Sequence, residues 1–281
     1  MRAVREGIEV LGERDVAEFL ALTDRDPVVN VFAAHRARTT NLEPRWLGGE
    51  VWGRFEDGRL VAACHVGANL VPVECTPAQA AEFAERAARR GRGVATLVGP
   101  QEAVAAMWEV LEPEWGPPRE LRWDQVHMAL AAEPTVDPDP LVRTTPVDAA
   151  DVLYPACVAM YREEVGADPE QGSPRGLYRT RVKQLVSRGW SFSRIEDGAV
   201  VFKAEVASAT SRAAQVQGVW VHPDRRGEGL SVAGMAAVVA LVRRDVAPVC
   251  SLYVNSWNTP ARRAYERVGF RQTATFATIM Y

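Results

Sequence analysis

Cysteine and histidine are scarce, four of each in 281 residues. Cys64, Cys75, Cys157 and Cys250 stand far apart with no Cys-x-x-Cys pair. That excludes a zinc framework and a disulfide scaffold, and the expectation is reduced, mostly buried thiols in a cytoplasmic protein with no metal. Long apolar runs are also missing. The longest, Val232 to Val242, is too short to span a bilayer and ends in Arg243-Arg244, so it reads as a buried helix and no membrane partner is expected. The N-terminus, Met1-Arg-Ala-Val-Arg-Glu6, lacks the apolar core of a secretory signal. Charge of one sign is not in excess: 33 Lys and Arg against 36 Asp and Glu give a net −3. Nothing electrostatic therefore points to nucleic acid.

What is present is a globular composition on a chain long enough for two domains. The segment from Ala132 to Pro140, Ala-Glu-Pro-Thr-Val-Asp-Pro-Asp-Pro, is too rich in proline for a helix interior or a central strand. It divides the chain nearly in half, giving domains over 1–132 and 141–281 with a linker at 133–140. The halves share a weak repeat. Arg54-Phe-Glu-Asp-Gly-Arg-Leu-Val61 resembles Arg194-Ile-Glu-Asp-Gly-Ala-Val-Val201, each an Asp-Gly turn between apolar runs, and His65 falls where the second half has Glu205.

In the second half the patterns predict helices over 141–165 and 177–188, with Asp148 or Asp151 capping the first. Strands follow over 190–195, 200–208 and 213–222, then a helix over 229–244, a strand over 249–254, a helix over 260–268 and a strand over 273–281. Strands first in hairpins and then in crossovers mean a mixed α/β sheet.

The chemistry concentrates between Gly218 and Val232. A strand ends at His222-Pro223, a glycine-rich turn follows, and a helix begins. Such a turn aims backbone N–H groups into one concavity at the positive end of a helix, a site for pyrophosphate. Gly227 and Gly229 allow close backbone approach, and Arg225 and Arg226 add charge. There is no Gly-x-x-x-x-Gly-Lys-Ser/Thr loop, and Val232 stands where a dinucleotide fingerprint wants its third glycine.

Arg226-Gly-Glu-Gly-Leu-Ser231 resembles the acyl-CoA signature [Q/R]-x-x-G-x-[G/A] of the GNAT superfamily of N-acetyltransferases, with Ser231 in place of the final Gly or Ala. One strand later Leu252-Tyr-Val-Asn-Ser-Trp-Asn258, with Ala261, Tyr265 and Gly269-Phe270, resembles the family's second signature. The resemblance covers residues 142–281. It implies two GNAT-like α/β domains in tandem, the C-terminal one with a splayed central sheet that holds acetyl-CoA as co-substrate.

Carried over residue by residue, the resemblance implies that Val219, Trp220 and Val221 bond the pantetheine arm. Arg225, Arg226, Gly227, Glu228, Gly229, Leu230 and Ser231 would cradle the pyrophosphate, and Asn258 would bond the arm as well as cap a helix. Tyr265 would protonate the departing thiolate, or else simply pack an apolar helix face. The base is open: the strand before the turn carries Gln215 and Gln217, neither of which accepts a proton. Glu205 and the α-carboxylate of Tyr281 are the candidates, while His222 is expected to face solvent or phosphate. Glu163, Glu164 and Asp168 are placed to attract a cationic amine or to be a solvated face. The first half has no arginine-glycine turn before its helix at Pro77–Arg90, so it is expected to be a degenerate copy without a donor site that walls the acceptor site.

This tandem architecture is similar to that of mycothiol synthase. Asp24-Arg-Asp-Pro-Val-Val-Asn-Val31 and the proline-rich segment resemble an actinobacterial group of tandem acetyltransferases. The expected function is acetyl transfer from acetyl-CoA to a primary amine of a small molecule or peptide, with a non-catalytic acyl-CoA sensor or docking module as the alternative. A homodimer is left open.

Overall fold

A computed structural model of the chain describes residues 5–171 and 176–281; Met1–Val4 of the N-terminal reading lie outside them. The chain forms two compact units. One takes the residues up to His127 with Tyr253–Trp257 and Gln272–Tyr281. The other takes Met128–Leu252 and Asn258–Arg271.

The first unit begins with β1 (Gly7–Val10), α1 (Val16–Thr23), α2 (Val31–Thr40), α3 (Pro44–Leu47), β2 (Glu50–Glu56), β3 (Arg59–Val66) and β4 (Asn69–Val73). It continues with α4 (Pro77–Arg90), β5 (Thr96–Pro100), α5 (Gln101–Trp115) and β6 (Glu120–Leu130), whose last residues open the second unit. The second unit contains β7 (Arg143–Thr144), α6 (Ala150–Val165), α7 (Leu177–Ser187), β8 (Ser191–Glu196), β9 (Ala199–Ala209), β10 (Ala214–Val221) and α8 (Leu230–Asp245). It also holds the start of β11 (Cys250–Asn255) and α9 (Thr259–Val268). β12 (Arg271–Met280) returns to the first unit, where it pairs antiparallel with β5.

The repeat glimpsed in the sequence is carried in the register. In the first unit Val51 pairs with His65, Arg54 with Ala62, Phe55 with Leu60 and Glu56 with Arg59. In the second, Ser191 pairs with Glu205, Arg194 with Phe202, Ile195 with Val200 and Glu196 with Ala199. Both hairpins slip register at the same place, after Arg54 and after Arg194. Both turns are left-handed at two successive residues, Asp57-Gly58 and Asp197-Gly198, which matches the twist of the strands they join. The sheet order β2-β3-β4-β5 thus has its counterpart in β8-β9-β10-β11.

Each unit covers its sheet on both faces. In the first, Trp52, Ala62, Cys64 and Leu70 pack on α4 and α5 through Phe83, Met107 and Trp108, while Val51, Phe55 and Ala63 meet α1 and α2 through Phe19, Leu22 and Ala37. In the second, Val200 and Trp220 pack on α6 and α7. The other face of β9 turns to α8, where the ring of Phe202 lies 2.7 Å from the position a β-carbon on Gly234 would take. Among the described residues no helix is long and apolar enough to cross a membrane.

Three local expectations are corrected. The helix expected from Leu141 starts only at Ala150, after the short β7 and a turn of 3-10 helix. Neither aspartate caps it: the cap position is Ala149, and Asp151 instead pairs with Arg179. The proline-rich segment is irregular in backbone, as its prolines dictate, yet it is tied to the second unit. Thr135 donates its N–H to Val268 O, and buried Asp139 pairs with Arg194 at 2.8 Å.

Two histidines of the first unit are enclosed, His65 (4% exposed) and His127 (0%). Burial pushes each pKa down to about 4, helped at His65 by Arg36. Both are therefore neutral in the folded chain where the unfolded chain starts to protonate them. Their contribution is whole above pH 6.5 and is lost as the pH falls toward 4, on the order of 2–4 kcal/mol each. Urea unfolding at pH 7.0 and pH 4.5 should show this loss, and His127→Gln should remove part of the slope.

Candidate active site

The second unit's sheet opens at its centre. β10 and β11 are parallel and in register at Ala214–Cys250 and Gln215–Ser251. Beyond Gln215 no further pair joins them among the described residues, and Val221 O at the far end of β10 accepts from Arg226. On its other edge β10 pairs with β9 through a bulge: Gln217 opposes Glu205, then Trp220 opposes Lys203, leaving Gly218 and Val219 against Ala204. The bulge sets two residues against one and interrupts the ladder there, and Gly218 takes a left-handed conformation, φ +58°.

After Val221 the chain makes a single 3-10 turn at Pro223–Arg225, with His222 Nδ1 accepting the Asp224 N–H. α8 then starts behind Gly229, φ +81°, with no side chain capping it. The N–H groups of Leu230 and Ser231 have no partner within the helix, while Val232 already donates to Gly229 O at 3.0 Å. Nothing lies within 4 Å of the β-carbon position on Gly227 or Gly229. This is an open cradle at the positive end of a four-turn helix, and a pyrophosphate fits it.

The arginines of the turn are held by the chain itself. Arg225, expected as free charge on the rim, is bound between Glu196 and Glu228. Arg226 donates to Val221 O and to Glu163 Oε2 at 2.7 Å, and Glu163 Oε1 accepts from Trp220 Nε1 at 3.1 Å. Of the acidic groups expected to draw a cationic amine, Glu163 is thus matched by Arg226 and Asp168 by Arg162. Glu164 acts on both Lys203 and Tyr265.

Beneath the bulge lies a buried ion pair. Lys203 is 0% exposed and Glu205 7%. Two apart on β9, they share one face of the strand. Lys203 Nζ donates to Glu205 Oε2 at 3.2 Å, and Gln217 Nε2 donates to Glu205 Oε1 at 2.9 Å. A β-carbon on Gly218 would stand 3.1 Å from Lys203 Nζ and from Met160 Cε, and 3.3 Å from Glu205 Cδ. Burial works against the Lys203 ammonium, but Glu205, Cys157 and Glu164 outweigh it and its pKa is raised. Gln217, which cannot take a proton itself, holds the carboxylate that can.

Tyr265 is buried on α9 with its ring edge-on to Phe270, centroids 6.0 Å apart. Burial, and then Glu164, push its phenol well above the usual value. Among the described residues its hydroxyl has no hydrogen-bond partner. Asn258 caps α9, its Oδ1 accepting the Ala261 N–H at 3.2 Å. Tyr281 belongs to the first unit, where its ring packs on Trp108, Trp115 and Arg92.

Lys203 went unnoticed in the sequence, although Val-Val-Phe-Lys-Ala-Glu-Val carries the signal. Opposite charges two apart on an otherwise apolar strand mark one buried face.

The first unit shows what this site is not. β4 and β5 are also parallel for two pairs, Asn69–Thr96 and Leu70–Leu97, but Pro72 then lies against Gly99, 3.2 Å from its β-carbon position. The helix corresponding to α8 is α4, and its N-terminus is closed by the chain. Thr76 and Gln79 form a reciprocal capping box, with Pro at the first turn. At α4 the Thr76 and Gln79 N–H groups are taken by the box, and Pro77 has none to offer.

Two family models match parts of the chain. Residues 49–153 match a domain of unknown function (DUF4081), and residues 162–270 match the acetyltransferase (GNAT) family. A mycothiol acetyltransferase of Brachybacterium faecium is 32% identical over 124 residues, 41% of this chain and 37% of that protein. Another, of Streptomyces griseus, is 31% identical over 155 residues, 54% of this chain and 49% of that protein. The match therefore spans less than half the length of these curated relatives. A solved tandem GNAT protein from the clavulanic acid biosynthesis pathway shares the fold, with TM-score 0.54 and 16% identity over 96% of this chain and 97% of that one. The second half of the chain is thus similar to the acetyltransferase (GNAT) family and the stretch before it to DUF4081, and the whole shares the fold of a tandem GNAT protein.

Proposed function

We propose that the second unit binds acetyl-CoA and transfers its acetyl group to a primary amine by direct attack. The observation that carries this reading is the conjunction of an opened β10–β11 edge, the bulge at Gly218–Val219 and the uncapped α8. The pantetheine arm is read as an added strand along Val219–Val221, where peptide-like groups meet the edge that faces β11. The pyrophosphate lies on the N–H groups from Gly227 to Ser231, and Arg226 exchanges Glu163 for phosphate oxygen. Asn258 bonds the arm with the part of its amide that the cap leaves free.

The amine nitrogen attacks the thioester carbonyl, and Glu205 takes the proton the nitrogen must lose, directly or through one water. The C–S bond then breaks, and Tyr265 supplies a proton to the thiolate. Both named relatives are mycothiol acetyltransferases, so their acceptor belongs in the amine panel that tests this reading.

The tests are calorimetric titration with acetyl-CoA and thiol release across that panel. Binding with turnover on one amine is expected. Binding without turnover on any amine would favour a sensor of acyl-CoA, and no binding refutes both. Gly229→Trp places an indole in the open cradle at a residue whose left-handed backbone costs a side chain about 1–2 kcal/mol. It should weaken acetyl-CoA affinity about 100-fold or more while the melting curve stays cooperative. Unchanged affinity would remove the pyrophosphate from this turn.

A further inference from the structure

The geometry points to Lys203 as a positioning residue, the enclosed countercharge that holds the Glu205 carboxylate aimed at the bulge. This rests on the reading of Glu205 as the base. A carboxylate 7% exposed under an apolar helix loses most of its hydration. A charge so enclosed depends on a fixed countercharge beside it. Lys203 is the countercharge, 3.2 Å away and wholly enclosed. Its place is fixed from three sides: by β9 itself, by the backbone of Gly218, and by Met160 and Cys157 of α6.

The other titratable groups facing the pair cannot replace it. Burial raises both the Cys157 thiol and the Tyr178 phenol, so both are neutral at working pH. Glu164 adds negative charge. The contact is too short and too enclosed to be exchanged for water, unlike a surface pair. Lys203 touches neither donor nor acceptor in this account. It acts through the carboxylate, and Gln217 fixes the second oxygen.

The experiment is the pH dependence of kcat/KM for Lys203→Met, on the full chain, with acetyl-CoA affinity measured alongside. The acid limb should move up by about one pH unit or more, so that kcat/KM at pH 6.5 falls about tenfold or more and recovers toward pH 9. Acetyl-CoA affinity should be unchanged. If Lys203→Met does not fold, Lys203→Gln keeps a donor beside the carboxylate without the charge and should show the same displacement. A loss equal at every pH would mean that Lys203 only supports packing, and would overturn the proposal. If Glu205→Gln keeps full activity, the reading of the base fails and this inference falls with it. If Glu205→Gln is inactive and the Lys203 variants have an unmoved acid limb, the inference alone fails.

Discussion

Glu205→Gln should abolish most activity and also destabilise the chain, and the two effects can be separated. Removing the carboxylate charge leaves the Lys203 ammonium buried at 0% exposure without its counterion. Breaking an enclosed pair on one side costs about 3–5 kcal/mol. Loss of a general base costs about 10²–10⁴ in kcat. A melting experiment on the single variant would confuse these two effects. The double variant Lys203→Met, Glu205→Gln removes both charges together and should regain most of the stability. It should stay as inactive as the single variant. Urea unfolding and kcat/KM on all three proteins make the comparison. Activity that returns with stability in the double variant would reduce Glu205 to a structural partner and send the search for a base elsewhere.

The residues that could be read in the sequence were those whose roles are local. A glycine turn between strand and helix, an Asp-Gly hairpin and a 3.6-residue periodicity all depend on neighbours a few positions away. They placed β8 to β11 and α7 to α9 within a residue or two of where they stand. The relation between the halves was visible as a short resemblance and became firm only in the matched slips after Arg54 and Arg194.

Roles settled by distant contacts were out of reach. Lys203 is an ordinary strand lysine until α6 closes over it with Cys157 and Met160. Arg225 was read as phosphate charge because nothing in its own segment shows that Glu196, a hairpin away, claims it. The end of β12 was expected near the second unit's cleft. Its pairing with β5 across more than 170 residues of sequence, Met280 beside Thr96, makes Tyr281 part of the first unit, a contact no local pattern shows. The difference between the two helix N-termini was half visible. The missing arginine-glycine turn before Pro77 was legible, whereas the capping box of Thr76 and Gln79 became evident only in the folded chain.

Tyr265→Phe should lower kcat about 10²–10³ while leaving fold and donor affinity in place. The ring lies against Phe270 and is 7% exposed, and phenylalanine fills the same space. The hydroxyl has no hydrogen-bond partner among the described residues, so its removal breaks no internal bond and stability should change by less than about 0.5 kcal/mol. Burial and Glu164 raise the phenol, which therefore stays protonated through the working range and adds no basic limb to the rate below about pH 10. An acid is needed only when the leaving group is a poor one. An acetyl thioester of a strongly acidic aryl thiol, bound in place of acetyl-CoA, leaves without help, so on that donor the variant should come close to wild type. Equal impairment on both donors would mean that the hydroxyl positions the substrate. No impairment on either would return Tyr265 to the role of a packing residue on α9.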